Sequence, residues 1–349
     1  MKSNGAGALV ACLAGLAIPA TAAAASATVK CGSMITQNTT LASDVGPCNQ
    51  GGIVIGADNI TLDLGGHSVL GKPRNGDGIG ISTNGHSRVT IENGIVRFFD
   101  TGVGVMGGAD NTVTGVTARD NIGTDQFNSK FGRGDGILIY QSNSNSVYGN
   151  KSFNNGPFAG ITVLGDASSP SVPSAHNAII DNTVTNNDIP HQSVNEDDGI
   201  RIEGPNATGT LIDGNDVEAN GLDGISIFAD QLTGFRNSGS VITSNTVTGN
   251  GFNNEAHRKG DGLILFGSPT NAAVGGADGT TVSGNTVEDN AANGIRVLSE
   301  GNTISSNTAL YNDAYPNVTA FDLVDAWPAC DSNSWSGDTF GTHNQACVS

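Results

Sequence analysis

The chain has 349 residues, enough for two ordinary domains or one elongated domain. Glycine, with 50 residues, is about twice as frequent as in an average protein, and the 37% hydrophobic content is too high for a disordered chain. A formal net charge of −18 excludes a nucleic-acid-binding protein that works by neutralising phosphates.

The N-terminus has the features of a secretory signal peptide. An apolar stretch at Gly7–Ile18 is too short to span a membrane comfortably, and Ala25-Ser26-Ala27 supplies an A-x-A cleavage site. We therefore predict that residues 1–27 are a signal peptide, that the mature chain begins at Thr28, and that the protein is secreted to an extracellular location without membrane insertion.

Four cysteines remain in the mature chain, and they lie in two equally spaced pairs at its opposite ends. Four cysteines allow three connectivities. We favour Cys31–Cys48 and Cys330–Cys347, each of which closes a short loop and contributes about 3 kcal/mol in the chain-entropy model. A thiolate metal site is less favoured, because the chain lacks C-x-x-C spacing and a nearby histidine pattern.

Between the cysteine pairs the sequence is repetitive. One phrase, Gly-apolar-x-apolar, begins at Gly78, Gly102, Gly136, Gly160, Gly199, Gly224, Gly262 and Gly294. A second phrase carries two asparagines five positions apart, at 150 and 155, 182 and 187, 215 and 220, 245 and 250, 285 and 290, and 307 and 312. Self-similarity of this kind is typical of repeat architectures.

Each repeat predicts one coil of a parallel β-solenoid. The apolar pairs have the two-residue period of a strand with one buried face, and Gly, Asn and Asp between them suit turns with positive φ. Coils stacked about 4.8 Å apart place Ile and Val in interior ladders. The repeated asparagines then lie above one another and can bond through their amides. We interpret them as architectural and expect about nine coils.

These residues resemble the right-handed parallel β-helix repeats of pectate-lyase-like and NosD-like secreted proteins. The segment 58–67 is similar to the first coil of that group, and Trp335 with Phe340-Gly341-Thr342 resembles its C-terminal cap. The resemblance implies an all-β fold, a single-stranded right-handed parallel β-helix with disulfide-stapled caps. It divides the mature chain into an N-terminal cap at 28–58, repeats at 59–326 and a C-terminal cap at 327–349.

Three long connections on one edge of the predicted solenoid are rich in ionisable residues. They cover 122–134, 188–197 and 251–260. Loops on one face of a repeat protein commonly form its binding surface. We therefore place the candidate catalytic residues in two of these loops and on the adjacent strand, at His191, Arg201, His257, Arg258 and Lys259.

The roles of these residues follow from the chemistry that the resemblance implies. Lyases and C5-epimerases of uronate polymers remove the proton α to a carboxylate, which requires a base and a cation that stabilises the enediolate. His257, Arg258 and Lys259 offer those roles, with His191 opposite. Arg201, like Arg296, is expected to point outward, either solvated or gripping a sugar carboxylate with two nitrogens.

Two family motifs are incomplete in this sequence. Residues 188–191 are similar to the Asp-Pro-His-Glu motif of mannuronan C5-epimerases, but Ile189 interrupts the motif and Gln192 replaces Glu, so no catalytic role is carried over. Residues 195–199 with Arg201 are similar to the aspartate pair of polygalacturonases, whose Gly-His-Gly element is absent.

A column of aspartates precedes the strand glycines. Asp-Gly is a preferred turn pair, which is the simplest interpretation. The alternative is that Asp197, Asp198 and Asp223 bind calcium, because carboxylates stacked about 4.8 Å apart repel one another and a cation relieves the repulsion. No EF-hand or nonapeptide calcium motif is present. Calcium is the one cofactor predicted, from clustering alone.

Two classes of function remain open. The first is a carbohydrate-active enzyme, a polysaccharide lyase or C5-epimerase acting on a uronate-containing polysaccharide. The second is a non-catalytic glycan-binding or cell-envelope structural protein. An acidic protein suits a polyanion poorly unless calcium or a local basic strip intervenes, so the enzyme is only slightly favoured. A NosD-like role in metal insertion lacks a His- or Cys-rich motif. We expect a polysaccharide partner, no nucleic acid and a monomer.

Overall fold

A computed structural model describes residues 25–73, 78–123, 134–166, 168–169, 171–187, 197–228, 236–252, 259–268, 276–314 and 319–348. Regular structure in these residues consists of 31 β-strands and one 3₁₀-helix, Pro328–Cys330. None of the described segments forms a helix with the length and apolarity that a membrane span requires.

Eleven of the described strands, one per coil, stack in parallel as the smaller of two sheets. They are Met34–Ile35, Ile53–Ile55, Ile79–Ser82, Thr101–Met106, Ile137–Tyr140, Ala159–Leu164, Asp198–Glu203, Ile225–Phe228, Leu263–Leu265, Ile295–Val297 and Leu323–Asp325. The glycine phrase marks the eight strands counted from the sequence and also a ninth, at 53–55, where Gly52-Ile53-Val54-Ile55 fits it. It is absent from the strands at 34–35 and 323–325, which is why the phrase led us to expect about nine coils.

The other 20 described strands form the larger sheet, which has two rows joined at a bend. The first row contains Ala25–Ala27, Thr39–Leu41, Thr61–Asp63, Ser146–Tyr148, Ala178–Ile180, Leu211–Asp213, Val241–Thr243, Thr281–Ser283, Thr303–Ser305 and Ser334–Ser336. The second row contains Ser68–Leu70, Lys151–Phe153, Thr183–Thr185, Asp216–Glu218, Thr246–Thr248, Thr286–Glu288, Thr308–Leu310 and Thr339–Phe340. Thr90–Arg97 and Thr112–Arg119 run through the bend and belong to both rows.

The interior is filled by the ladders of Ile and Val that the period-two pattern predicts. Ile179 pairs in register with Val147 on one side and Ile212 on the other, and all three side chains are completely buried. Burial of each such side chain contributes about 1.5–3 kcal/mol. One continuous cluster of buried apolar residues extends through the described coils from Val29 to Val348. The predicted parallel β-solenoid is confirmed.

The asparagine ladders are also confirmed. Asn150 donates its backbone N–H and its side-chain amide to Oδ1 of Asn182, each at 3.0 Å. Asn182 repeats the pattern on Asn215 at 3.0 and 2.9 Å. A second ladder runs in parallel through the asparagines five positions further along each coil. Because buried amides must find partners, the ladders satisfy polar groups that stacking removes from water.

The glycine of the first phrase is explained by a close approach. A Cβ at Gly199 would lie 2.5 Å from Cγ1 of Val217 and 2.7 Å from Nδ2 of Asn220. The strand of the smaller sheet therefore begins where the chain passes directly over a ladder amide. Any larger residue would push the two apart.

Both predicted disulfides are present. Cys31 bonds to Cys48 with a Cα–Cα distance of 5.5 Å, and Cys330 bonds to Cys347 with a distance of 5.9 Å. At the N-terminus, Ala25–Ala27 pairs with Thr39–Leu41 as the first strand of the larger sheet. These three residues precede the cleavage point expected from the sequence, which remains a prediction.

Candidate functional site

The candidate site lies on the outer face of the smaller sheet, which we define as the outward side chains of its strands from Ala159–Leu164 to Ile295–Val297. Register places Thr162, Arg201, Ser226, Ile264 and Arg296 in one column across five coils. The first four are almost completely buried, although they point away from the interior. The outer face is therefore largely covered, and its exposed groups are few.

Arg201 lies in an environment different from the one expected. It is 1% exposed, its Nη1 lies 2.8 Å from Oδ2 of Asp198, and its Nε lies 3.0 Å from Oε2 of Glu203. Its Cζ lies 5.1 Å and 4.7 Å from the ring centres of Phe158 and Phe228. The expectation of a solvated arginine is wrong, because strand period determines the direction of a side chain and not what covers it. A catalytic role for Arg201 remains a prediction.

The aspartate column forms a third ladder. Oδ1 of Asp198 accepts the backbone N–H of Asp223 at 2.9 Å, and Oδ1 of Asp223 accepts that of Asp261 at 2.8 Å. Asp261 in turn accepts the backbone N–H of Asn293 at 3.0 Å, and Asn293 accepts that of Phe321 at 3.0 Å. Each carboxylate thus joins its own coil to the next one, which goes beyond the local Asp-Gly turn chemistry expected from the sequence.

The Asp198 carboxylate of this ladder has no oxygen left for a calcium ion in the arrangement observed. Oδ2 of Asp198 accepts from Ser226 Oγ at 2.7 Å as well as from Arg201, so both of its oxygens are engaged. Calcium would have to replace the guanidinium as the counter-charge. Across the described residues, no three His, Cys, Asp or Glu side chains converge as a metal site requires. The ligand set Asp197, Asp198 and Asp223 remains a prediction, and we assign no chemistry to it.

Two aromatic rings stack on the outer face. Phe228 and Phe266 lie on adjacent coils with ring centres 4.2 Å apart and an interplanar angle of 48°. Both rings are partly exposed, and Glu203, which pairs in register with Phe228, is also partly exposed. Because Arg201 contacts both Glu203 and Phe228, the buried cation orients the two side chains that reach the surface.

Arg296 keeps the exposed environment that the sequence suggests for an outward arginine. Its side chain is 38% exposed, and its Nη1 lies 3.5 Å from Oδ2 of the buried Asp261. Asn293 Nδ2 donates to the other oxygen of Asp261 at 2.7 Å. The carboxylate thus holds one end of the guanidinium, and the exposed part of the guanidinium can donate to a ligand.

The other candidate residues are only partly within the described chain. Lys259 is partly exposed and lies two residues before Asp261, whereas His191, His257 and Arg258 lie outside the described residues. Sequence reasoning missed Phe228 and Phe266. A signal for them exists, because each follows its glycine phrase at the same position.

Comparisons with known proteins agree with this architecture. A family model described as the right-handed β-helix region matches residues 27–230 and 171–323. No curated protein sequence matches significantly. The solved A-module of mannuronan C-5 epimerase from Azotobacter vinelandii is 15% identical, with a TM-score of 0.55 over 92% of this chain and 80% of that one.

Two further solved structures are similar. A pectate lyase is 16% identical, with a TM-score of 0.55 over 86% of this chain and 71% of that chain. A mutant tailspike protein of E. coli bacteriophage HK620, solved with a pentasaccharide, is 13% identical with a TM-score of 0.51. The match covers 87% of this chain and 55% of the tailspike, so this chain spans little more than half of that protein. At these identities, the similarity shows the fold alone.

Proposed function

The chain belongs to the right-handed β-helix family, and from that premise we propose that it is a secreted, carbohydrate-active protein that binds a polysaccharide along its outer face. The observation that carries the proposal is the series Glu203, Phe228, Phe266 and Arg296, which lies on successive coils of one face. The names of the similar structures concern mannuronan, pectate and a pentasaccharide. The two disulfides suit the oxidising environment of a secreted protein.

The chemistry of these side chains matches a sugar chain. A pyranose ring has C–H groups on its faces and hydroxyl groups around its edge. The exposed parts of Phe228 and Phe266 provide an apolar surface for the faces, while Glu203 and Arg296 accept from and donate to the edge hydroxyls. Ligand sites commonly combine aromatic walls with a few oriented polar groups in this way.

Uronate lyase or C5-epimerase activity is the second candidate, and Arg296 favours it. A partly exposed guanidinium can pair with a sugar carboxylate and stabilise the charge that develops when the α proton leaves. Lys259 is the described candidate for the base, and His191, His257 and Arg258 are predicted to contribute. The net charge of −18 repels a polyuronate overall, so binding would depend on this local cation.

Replacement of Phe266, one of the two stacked rings, tests the binding proposal. The test uses a polysaccharide that binds the wild-type protein. We expect Phe266→Ala to weaken this binding by up to about ten-fold, because an aromatic contact contributes about 0.5–1.5 kcal/mol. The measurement is affinity electrophoresis against pectate, alginate and neutral polysaccharides. Phe153→Ala is the control, since Phe153 is a partly exposed phenylalanine in the second row of the larger sheet.

Two results would contradict the proposal: a folded wild-type protein that binds no polysaccharide of the panel, or equal weakening in the two variants. Incubation of the protein with the same polymers tests whether it is an enzyme. A lyase would produce unsaturated ends, and an epimerase would produce inverted C5 centres. We expect Arg296→Ala and Lys259→Ala to abolish such products. Binding without any product, with or without added calcium, would reject the enzyme and leave the binding function.

A further inference from the structure

Charge is separated by sign along the larger sheet, on the side of the solenoid away from the outer face. The outward side chains of its second row, from Ser68–Leu70 to Thr308–Leu310, form a surface that we call the second-row face. Its cations lie on the earlier coils and its anions on the later ones, at Arg97, Arg119 and Lys151 and at Asp216, Glu218 and Glu288, respectively. All six side chains are at least partly exposed. The uncharged strand Thr183–Thr185 separates the two groups.

Most of these charged groups have no ionic partner in their own chain. Arg119 pairs with Asp120 at the following turn. Among the described residues, Lys151 and Arg97 form no ion pair, and Arg97 instead stacks on Phe98 with its Cζ 4.7 Å from the ring centre. The three carboxylates of the face likewise accept no hydrogen bond from a described residue. Charges separated in this way are complementary to a surface that carries the reverse order.

The order of the side chains is such that the face is complementary to itself. Lys151 lies one coil before Thr183–Thr185, and Asp216 lies one coil after it. Arg97 lies three coils before the same strand, and Glu288 lies three coils after it. A two-fold axis along Thr183–Thr185, in the plane of the face, therefore brings these cations of one copy opposite the anions of another. Self-complementarity of this kind is what a two-fold symmetric interface requires.

The ends of the face are apolar and obey the same symmetry. Leu70 and Leu310 are both partly exposed and lie four coils before and four coils after the central strand. Tyr311, which directly follows Leu310, is 71% exposed. Gly71, which directly follows Leu70, has no side chain at the corresponding position. The two-fold axis thus brings leucine opposite leucine and the tyrosine opposite an open position.

We propose that the second-row face binds a second copy of this chain in an antiparallel, two-fold symmetric dimer. Lys151 of each copy pairs with Asp216 of the other, and Arg97 pairs with Glu288. Nine stacked strands span about 38 Å, and each is about 10 Å long, which gives a projected area of about 400 Å² per copy. This area is at the low end for specific interfaces, so we expect a weak dimer with a micromolar dissociation constant. The proposal takes the place of the monomer expected from the sequence.

The net charge of −18 on each copy opposes association, but its reach is short. At physiological ionic strength, charges are screened over about 8 Å. The paired charges at the interface are closer together than this distance, whereas most of the remaining carboxylates of the two copies are further apart. Local complementarity therefore outweighs the overall repulsion at physiological salt concentration.

Sedimentation equilibrium of the whole chain tests the proposal. The mean mass of the wild-type protein should rise from that of one chain to that of two over the micromolar concentration range. Lys151→Glu brings like charges together twice in the symmetric dimer and should weaken it by about ten-fold or more. Asp216→Lys should have the same effect. The double variant Lys151→Glu/Asp216→Lys restores opposite charges at both contacts and should return the dissociation constant to that of the wild type.

Lys30→Glu is the matched control, because Lys30 is an exposed lysine of the N-terminal cap and its replacement changes the net charge equally. It should leave the dimer unchanged. A folded wild-type protein that stays monomeric at every concentration would overturn the proposal and assign the face to a different partner. The proposal also fails if the double variant stays as weak as the single ones, or if Lys30→Glu weakens the dimer as much as Lys151→Glu. Phe266→Ala, which tests the outer face, should not change the mean mass, so the two proposals succeed or fail separately.

Discussion

Arg201 is a charged side chain that is almost completely buried, so the cost of burying its charge must be offset by the groups around it. Removing a cation from water costs several kcal/mol, which only close partners offset. Asp198 and Glu203 supply opposite charge, and Phe158 and Phe228 contact the guanidinium. The same contacts fix Glu203 and Phe228 on the outer face. Arg201 therefore positions two of the side chains that reach the surface.

Replacement of Arg201 by methionine tests this account at the scale of one residue. Arg201→Met keeps an unbranched side chain but removes the guanidinium that pairs with the buried Asp198, and should lower the free energy of unfolding by about 3–5 kcal/mol. The measurement is urea denaturation. Arg296→Met occupies the same column and removes a partly exposed ion pair, so we expect a loss of about 1 kcal/mol or less. Similar losses of unfolding free energy in the two variants would contradict the conclusion that Arg201 and Arg296 lie in different environments.

At the scale of elements, the two asparagine ladders end in carboxylates. Asp338 Oδ1 accepts from the backbone and side chain of Asn307, but its Oδ2 is buried without a partner in the described part of the chain. Burial raises the pKa of Asp338 above its usual value of 3.8. Asp322 ends the other ladder, and its Oδ2 accepts from Gly341 and Thr342. Only one of these two ends is satisfied as a carboxylate.

The pH dependence of stability distinguishes the two ends. Because the folded pKa of Asp338 is raised, its favourable contribution is present below pH 3.8 and is lost as the pH rises through the folded pKa. Asp338→Asn lacks this loss, and its amide can donate as the other ladder amides do. We expect its stability relative to wild type to increase with pH, reaching a gain of about 1 kcal/mol at pH 7.

Urea midpoints of unfolding between pH 3.5 and 7 measure this difference. Asp322→Asn is the control, because it removes an acceptor from the groups that bond its Oδ2, and we expect it to destabilise the protein at pH 7. A stability difference between Asp338→Asn and wild type that does not change with pH would contradict the assignment.

At the scale of the whole molecule, the solenoid is a stack in which each coil is stabilised by its neighbours. Strand pairing in the described sheets joins coils that follow one another along the chain. Among the described coils, the first and the last have a neighbour on one side only, and they are the coils that the disulfides constrain. Because stability in a repeat array is a sum of neighbouring contributions, loss of an end should spread inward gradually.

Removal of one disulfide tests this organisation. In the chain-entropy model, Cys330→Ala/Cys347→Ala should cost about 3 kcal/mol. Hydrogen exchange should accelerate at Ser334–Ser336 and Thr339–Phe340, while the central strands at Ala178–Ile180 and Leu211–Asp213 keep their protection. Uniform acceleration throughout the chain would show that the solenoid unfolds as one cooperative unit.

The sequence by itself determined the solenoid, the interior ladders, the asparagine ladders and the disulfide pairing. Each of the first three repeats along the chain, and stacking turns a repeated spacing directly into a contact. Only the tertiary structure decided which outward side chains are exposed and which of them lie close together. Arg201 and Arg296 occupy the same position in their strands, yet one is buried and the other is not. Their surroundings come from other coils, so the spacing within a single repeat carries no record of them.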